Sequence, residues 1–226
     1  MNWEDEGYLL SKRKFRENAN IINIFSNKKG KVSGIVYGGN SRKVRNYLQI
    51  SNKLFVIHNS KNENKIGYFK TELIKAISPT YFSDKYRTTA LVSICALLNT
   101  LLPESEPYKN IYKSYEKFLE SINLDNWIIL YIFFEVNLIK ELGYDTNLTK
   151  YEKNLSENID FINISIDGSK YIVPSFLVTK NIPQNVSNSL IKKSLNFTRT
   201  IFLNKFFRPN NLVFPNSRII LESYFA

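Results

Sequence analysis

The sequence predicts an α+β protein, with a small β-barrel in its first third and a helical domain carrying a small β-hairpin after it. Short runs rich in Ile, Val and aromatic residues, divided by Gly and Asn turns, occupy residues 7–73. From residue 81 onward, apolar residues recur at helical spacing instead. A strand-like stretch returns at residues 161–173. We therefore expect one domain at 1–78, a second at 79–226, and a hairpin subdomain around 143–180.

Five strands are predicted in the first domain. No helical pattern separates them, which disfavours a parallel α/β unit and favours a closed or nearly closed barrel. A linker at Lys75–Thr80 is expected after the barrel. The predicted strands are Gly7–Phe15, Ala19–Ser26, Lys31–Gly38, Leu54–Asn59 and Ile66–Leu73.

Helices dominate the predicted second domain. The third of them is apolar nearly all round and ends at Gly143, so it is expected to be the buried centre. Asp167-Gly168 between two apolar-rich arms predicts the turn of the hairpin. The predicted helices are Tyr81–Leu102, Pro107–Ile122, Trp127–Leu142, Asn185–Phe207 and Asn216–Tyr224.

Positive charge is concentrated in the predicted barrel. The chain has a net charge of +11 and a pI near 9.5, which suggests a polyanionic partner. Residues 1–76 hold 15 Lys and Arg against 6 Asp and Glu, whereas residues 77–226 hold 16 against 14. A general compositional bias toward Lys would not produce this asymmetry. Nucleic acid is therefore the expected partner of the first third.

Ten of these bases fall in three clusters. If the barrel brings the clusters together, they form a groove for a nucleic-acid backbone; the alternative is a merely solvated basic face. Tyr37, Tyr47 and Phe15 can each either stack on bases or pack in the core. The predicted DNA-binding residues are Lys12, Arg13, Lys14 and Arg16, then Lys28, Lys29 and Lys31, then Arg42, Lys43 and Arg45.

The glycines between Lys28 and Gln49 do not fit a nucleotide-phosphate loop. Gly34 and Gly39 have the Walker spacing, but Asn40-Ser41 follows where Lys-Ser/Thr is required, and no helix is predicted there. We expect these glycines to shape corners of the barrel instead.

Few side chains suit catalysis. His58, the single histidine, lies in a strand pattern and is expected to be partly buried with a structural partner. Cys95, the single cysteine, lies on an apolar helical stripe and is expected in the core. Glu4-Asp5-Glu6 lacks a spaced acidic partner and is expected to be a solvated segment. No catalytic residue, metal or cofactor is predicted.

Nothing in the sequence predicts membrane insertion or export. The longest apolar run, Trp127–Phe134, has eight residues, against roughly 20 for a membrane-spanning helix. The first residues carry three acids before any base, which is the reverse of a signal peptide. We expect a cytoplasmic protein.

Four motifs lie in order along the chain. The first, WEDEGYLLSKRKFRENANIINIFSNKKGKVSGIVYGGNSRK, has an acidic start, a basic strand and a Gly-rich turn. The others are LLPESEPYKNIY (101–112), FFEVNLIKELGYDTNL (133–148) and LVFPNSRIIL (212–221). In these motifs the chain resembles the bacterial RecO family of recombination-repair mediators. The order of the motifs spans the chain and matches the layout of a barrel followed by helices.

The resemblance implies an N-terminal OB-fold and a helical C-terminal domain without enzymatic activity. It also implies binding of single- and double-stranded DNA at the nucleoid, annealing of strands coated by single-stranded DNA-binding protein (SSB), and loading of RecA together with RecR. Candidates for contacting the C-terminal tail of SSB, weighed against ordinary solvated positions, are Lys192, Lys193, Arg199, Lys205 and Arg208.

The chain departs from the family pattern at one place. Many RecO proteins carry a four-cysteine zinc site after the Leu-Gly-Tyr motif, where this chain has Thr149-Lys150-Tyr151 and no cysteine. Zinc is therefore predicted absent. The hairpin is expected to be held by packing of Phe161, Ile164, Ile166, Tyr171 and Val173.

Two other function classes remain open. An OB-fold adaptor that binds proteins or RNA is the alternative to a DNA-annealing protein. A metal-dependent nuclease built on Glu4, Asp5 or Glu6 is the third.

Overall fold

A computed structural model describes residues 2–39, 41–60, 66–154 and 159–226. The chain divides into two compact units. Unit 1 is Met1–Lys113 with Pro215–Arg218, and unit 2 is Ser114–Phe214 with Ile219–Ala226. Within the described ranges, none of the helices has the length and apolar character needed to cross a bilayer.

Unit 1 contains a closed five-stranded barrel, as the sequence predicts. The strand order around it is β1-β2-β3-β5-β4. Neighbouring strands are antiparallel except β3 and β5, which run parallel. The strands are β1 (Asn2–Phe15), β2 (Ala19–Ser26), β3 (Gly30–Tyr37), β4 (Lys53–Asn59) and β5 (Gly67–Lys75).

The barrel core follows the two-residue period of its strands. The residues that fill the core alternate along their strands, as at Ile22 and Ile24 of β2 or Leu54 and Val56 of β4, and are excluded from solvent. Gly34 faces inward where the ring of Phe69 packs, and a Cβ at Gly34 would lie 2.4 Å from that ring. The core consists of Leu9, Ile22, Ile24, Val32, Val36, Leu48, Leu54, Val56 and Phe69.

The acidic N-terminal segment is part of the barrel and is not a solvated tail. Strand β1 begins at Asn2 and pairs with β4 from Asn2↔Asn59 to Tyr8↔Lys53. Glu4 and Glu6 are exposed, but Asp5 is buried. The expectation of a solvated segment was therefore wrong, because Asp5 has partners inside the fold that sequence spacing does not reveal.

A short helix, α1 (Arg42–Tyr47), follows β3, where no helix was predicted. Its N-cap is Ser41, whose hydroxyl accepts from the Val44 N–H. Six residues are too few to show an apolar period, which explains why the sequence pattern misses this helix.

Three longer helices follow, close to their predicted bounds: α2 (Lys85–Leu101), α3 (Lys109–Ser121) and α4 (Trp127–Glu141). A 3-10 turn at Ser78–Tyr81 precedes α2. Most of α4 is buried, as its apolar sequence predicts.

The predicted hairpin is present in unit 2, formed by β6 (Phe161–Ile166) and β7 (Ser169–Pro174). Its turn has positive φ at Asp167 (49°) and Gly168 (76°). Ile164, Tyr171 and Val173 are buried, while Phe161 and Ile166 are half-buried. An unpredicted helix α5 (Ser175–Thr179) follows, then α6 (Asn188–Phe202), a π turn at Leu203–Phe207 and α7 (Asn216–Ser223).

Candidate nucleic-acid interface

Two turns of the barrel lie side by side at one end. The N–H of Gly38, where β3 ends, donates to the C=O of Asn18 in the β1–β2 turn at 2.8 Å. Arg16 lies in that turn, is exposed, and adopts a left-handed conformation with φ 56°. Gly38 itself has φ 70°, and α1 begins at Arg42. The contact therefore brings the C-terminal part of β1, which carries Arg13 and Lys14, close to α1.

Lys12 connects β1 directly to α1. Its Nζ donates to the C=O of Leu48, the C-terminal cap of α1, at 2.7 Å. Burial lowers the pKa of Lys12, and the positive charge of Arg45 lowers it further. The bond to Leu48 places the Lys12 ammonium at the C-terminal end of α1, whose last turn carries Arg45.

A second hydrogen bond attaches α1 to strand β5. The hydroxyl of Tyr47 donates to the C=O of Thr71 on β5 at 2.8 Å. With Lys12 on one side and Thr71 on the other, the helix has a defined position on the barrel. Its three basic side chains remain exposed.

Seven of the ten predicted DNA-binding residues therefore gather at one end of the barrel, which we call the basic end. Six of them are exposed; Lys12 is half-buried, and because its ammonium already bonds the Leu48 carbonyl, its role is to position α1. The basic end consists of Lys12, Arg13, Lys14, Arg16, Arg42, Lys43 and Arg45.

Lys28 and Lys29 are not part of the basic end. They lie in the β2–β3 turn, at the far end of β2 from Ala19, which corresponds to roughly 24 Å of extended strand. The Lys28 ammonium lies 3.8 Å from the carboxylate of Asp5. The Lys29 ammonium lies 6.0 Å from the centre of the Trp3 ring. We call this region the opposite end.

Lys31 is occupied inside unit 1. Its side chain is buried, and its Nζ donates to the C=O of Asn99 on α2 at 2.8 Å. Burial lowers the pKa of Lys31, an effect that the charge of Glu104 opposes. Because this side chain is buried and its ammonium already bonds a carbonyl, we leave Lys31 out of the candidate interface.

The register of the strands aligns two rows of side chains on the outer face of the barrel. Both rows run from β1 through β2 to β3, and the second continues to β5. Tyr37 is 60% exposed, Tyr68 is 42% exposed, and their ring centroids are 6.4 Å apart. The first row is Phe15, Ala19 and Tyr37; the second is Arg13, Ile21, Ile35 and Tyr68.

A groove of about 320 Å³ opens beside these two tyrosines. Its lining includes Val44 and Tyr47 of α1, Tyr37 of β3, and Tyr68 and Lys70 of β5. The groove therefore joins the outer face of the sheet to the helix that carries part of the basic end.

The three aromatic residues singled out in the sequence have different environments. Tyr37 is exposed, Tyr47 is half-buried with its hydroxyl bonded to Thr71, and Phe15 is half-buried beneath the guanidinium of Arg16 at 5.2 Å. Sequence reasoning missed Tyr68 and Lys70. The alternation of Tyr68, Lys70 and Glu72 with buried Gly67 and Phe69 was the available signal, but it does not reveal which strand β5 pairs with.

The side chains of the single histidine and the single cysteine both pack against other side chains of unit 1. His58 stacks on Trp3 with ring centroids 4.8 Å apart, and burial lowers the pKa of its imidazole. Cys95 is buried, with its Sγ 3.2 Å from the Ser51 hydroxyl. Across the described residues, no group of three or more His, Cys, Asp or Glu side chains is arranged to hold a metal ion.

Five basic residues of unit 2 are candidates for contacting the acidic tail of SSB, and they differ in the contacts that they already make. Lys205 pairs with Asp167 of the hairpin turn at 2.9 Å, and Arg199 lies 3.5 Å from Glu222. The Lys193 ammonium is exposed but lies over the Phe161 ring at 4.0 Å. Lys192 and Arg208 are exposed.

Comparison with known proteins agrees with this architecture. The family model described as "Recombination protein O N terminal" matches residues 1–77, and the model described as "Recombination protein O C terminal" matches residues 83–153. The chain belongs to the RecO family. Its barrel is accordingly an OB-fold, and its biological role lies in DNA repair and recombination.

Individual relatives cover nearly the whole chain. The DNA repair protein RecO of Ehrlichia chaffeensis is 30% identical over 94% of this chain and 93% of its own length. The DNA repair protein RecO of a Wolbachia from Drosophila simulans is 28% identical over 99% of this chain and its own full length. A solved asparaginyl-tRNA synthetase from Entamoeba histolytica aligns over 95% of this chain and 60% of its own, at 8% identity and a TM-score of 0.30, which does not establish a common fold.

Proposed function

We propose that this RecO-family protein binds single- and double-stranded DNA through the basic end of its OB-fold barrel and anneals complementary strands coated by SSB. The observation that supports this most strongly is the gathering of six exposed basic residues from β1, the β1–β2 turn and α1 at one end of the barrel, where Lys12 positions α1. Exposed Lys and Arg side chains bind phosphates and release counterions, which favours binding to any nucleic-acid backbone.

Binding, rather than catalysis, is the proposed role of the barrel. His58 is stacked in an aromatic cluster, Cys95 is in the core, and Asp5 is bonded to the β2–β3 turn. These groups serve the fold and do not line the groove beside α1.

The protein partners in this proposal are those of the family: RecR, the C-terminal tail of SSB, and RecA as the protein to be loaded, at the nucleoid in the cytoplasm. An acidic tail would meet Lys192, Lys193 or Arg208 more readily than Lys205 or Arg199, because the latter two already face carboxylates.

A charge-removal variant tests DNA binding. Arg42→Ala, Lys43→Ala and Arg45→Ala together are expected to weaken binding of a single-stranded oligonucleotide and to reduce the slope of log K against log salt by about 2, since each phosphate contact contributes roughly 0.7. The control is Lys28→Ala with Lys29→Ala, which removes charge from the opposite end and should leave affinity within about twofold. Equal effects of the two variants would contradict the assignment of the interface.

Annealing is measured separately. Complementary strands coated by SSB should anneal faster with the protein than without it, and slower with the α1 triple variant than with the protein itself. No acceleration would contradict the annealing role. A clear preference for RNA over DNA of the same sequence at matched salt would favour the adaptor function instead.

A further inference from the structure

Tyr37 and Tyr68 expose their rings on a surface that also carries the basic end. Both belong to barrel strands whose inward neighbours, Val36 and Phe69, are buried. Their rings are 6.4 Å apart, on the same face of the sheet, and both line the groove beside α1. These two neighbouring rings therefore form one exposed aromatic patch at the edge of the groove.

We propose that Tyr37 and Tyr68 form a stacking site for the unpaired bases of single-stranded DNA, and that this site makes the interface prefer single strands over duplex. The inference rests on the proposed DNA-binding function and adds its base-recognition element. Every base has a flat face that can stack on an aromatic ring, so the site would be tolerant of sequence. In a duplex those faces are already stacked on neighbouring base pairs, and only the phosphates are available.

The charges around the two rings favour nucleic acid over an apolar peptide. Arg13 lies in the row of Tyr68 but three strand pairings away, on β1, and Phe15, in the row of Tyr37, is covered by the guanidinium of Arg16. Lys70 lines the groove from β5 and is exposed. Bases and phosphates alternate along a single strand, so rings flanked by cations match its chemistry.

Tyr47 has a different role at the same site. Its hydroxyl bonds to Thr71, and its ring lines the groove, so it positions α1 against the strand that carries Tyr68. Phe15 is half-buried under Arg16. Exposure therefore selects Tyr37 and Tyr68 as the stacking faces.

The test removes the rings and keeps apolar bulk. Tyr37→Leu with Tyr68→Leu should weaken binding of a fluorescent oligo-dT strand by roughly 30-fold or more, measured by anisotropy, because the stacking of one base on each ring is lost. Duplex DNA of the same length should change by less than about twofold. The salt slope should remain that of the unmodified protein, because no phosphate contact is lost. Tyr37→Phe with Tyr68→Phe keeps the rings and should bind normally.

An abasic strand of the same length distinguishes stacking from general structural damage. It should bind the unmodified protein as weakly as oligo-dT binds the Leu variant, and the Leu substitutions should have no further effect on it. Tyr86→Leu, which alters an exposed tyrosine of α2 that does not line the groove, is the matched control and should bind normally.

The outcomes separate this inference from the proposed function. Unchanged oligo-dT binding by the Leu variant, while the α1 triple variant binds weakly, would overturn the stacking site and leave DNA binding intact. Failure of the unmodified protein to bind any DNA would overturn both. Tighter binding of single-stranded RNA than of DNA would overturn the assignment of the ligand.

Discussion

The two ends of β2 differ both in the number of basic residues, seven at the basic end against three at the opposite end, and in the surroundings of those residues. At the basic end, Arg13, Lys14 and Arg16 point into solvent beside the exposed bases of α1. At the opposite end, Lys28 and Lys29 are also exposed, but Lys28 lies near the Asp5 carboxylate and Lys29 near the Trp3 ring, and Lys31 is buried. Net charge locates a candidate region, and the partners of each charge are the reason why we propose one end of it as the DNA interface.

Among the differences expected between the two ends, the largest is the loss of folding stability when Asp5, at the opposite end, is replaced. This buried carboxylate accepts from the Ser26 hydroxyl and from the Lys28 N–H, and so ties β1 to the β2–β3 turn. Asp5→Ala leaves both donors without this partner and should lower the free energy of unfolding by about 2–3 kcal/mol.

Urea unfolding followed by circular dichroism measures the effect of Asp5→Ala. The control is Glu4→Ala on the same strand, where the carboxylate is exposed and the change should be within about 0.5 kcal/mol. Equal losses from the two variants would show that the turn does not depend on Asp5.

A smaller effect is expected from Lys31. Lys31→Met keeps the aliphatic bulk but removes the donor to Asn99, which should lower the free energy of unfolding by about 1 kcal/mol. DNA affinity should not change, since the ammonium is not accessible. A weaker complex with DNA, measured with folded protein at low temperature, would return Lys31 to the interface.

The smallest expected effect is the pH dependence from His58. Burial lowers the pKa of this imidazole, so the unfolded chain binds a proton more readily than the folded one. The free energy of unfolding contributed by His58 is therefore fully present above the ordinary histidine pKa of about 6.5 and is lost as pH falls through the lower folded pKa. His58→Phe should make stability less dependent on pH between about 7 and 5, in urea titrations at each pH. An unchanged profile would contradict this assignment.

Much of the fold could be predicted because its strands and long helices have clear periods. The bounds of β2 were predicted to the residue, and those of α2 to α4 within a few residues of the observed ones. The start of β1 and the short helix α1 were missed. Glu4 and Glu6 alternate with Trp3 and Asp5, but acids do not resemble strand residues, and six residues of helix show no period.

The candidate site was less predictable than the fold. The sequence identified the basic residues, but it could not show that Lys31 turns inward to Asn99 or that Lys28 approaches Asp5. It also could not pair β3 with β5, so Tyr68 was overlooked as the neighbour of Tyr37. Both gaps arise from long-range contacts, which local residue patterns do not encode.

We expect the barrel to open most easily at the junction between β3 and β5. Within the described residues, the two strands pair only at Gly34↔Gly67 and Ile35↔Tyr68, whereas β1 and β4 pair from Asn2 to Tyr8. Few hydrogen bonds resist local opening at such a junction, and amide protons there should exchange with deuterated solvent sooner than those of β1. Because Tyr68 belongs to the junction, a strand of DNA stacked on its ring would link β3 to β5 and slow that exchange. Binding of DNA and closure of the barrel at this junction would then be thermodynamically coupled, so that each favours the other.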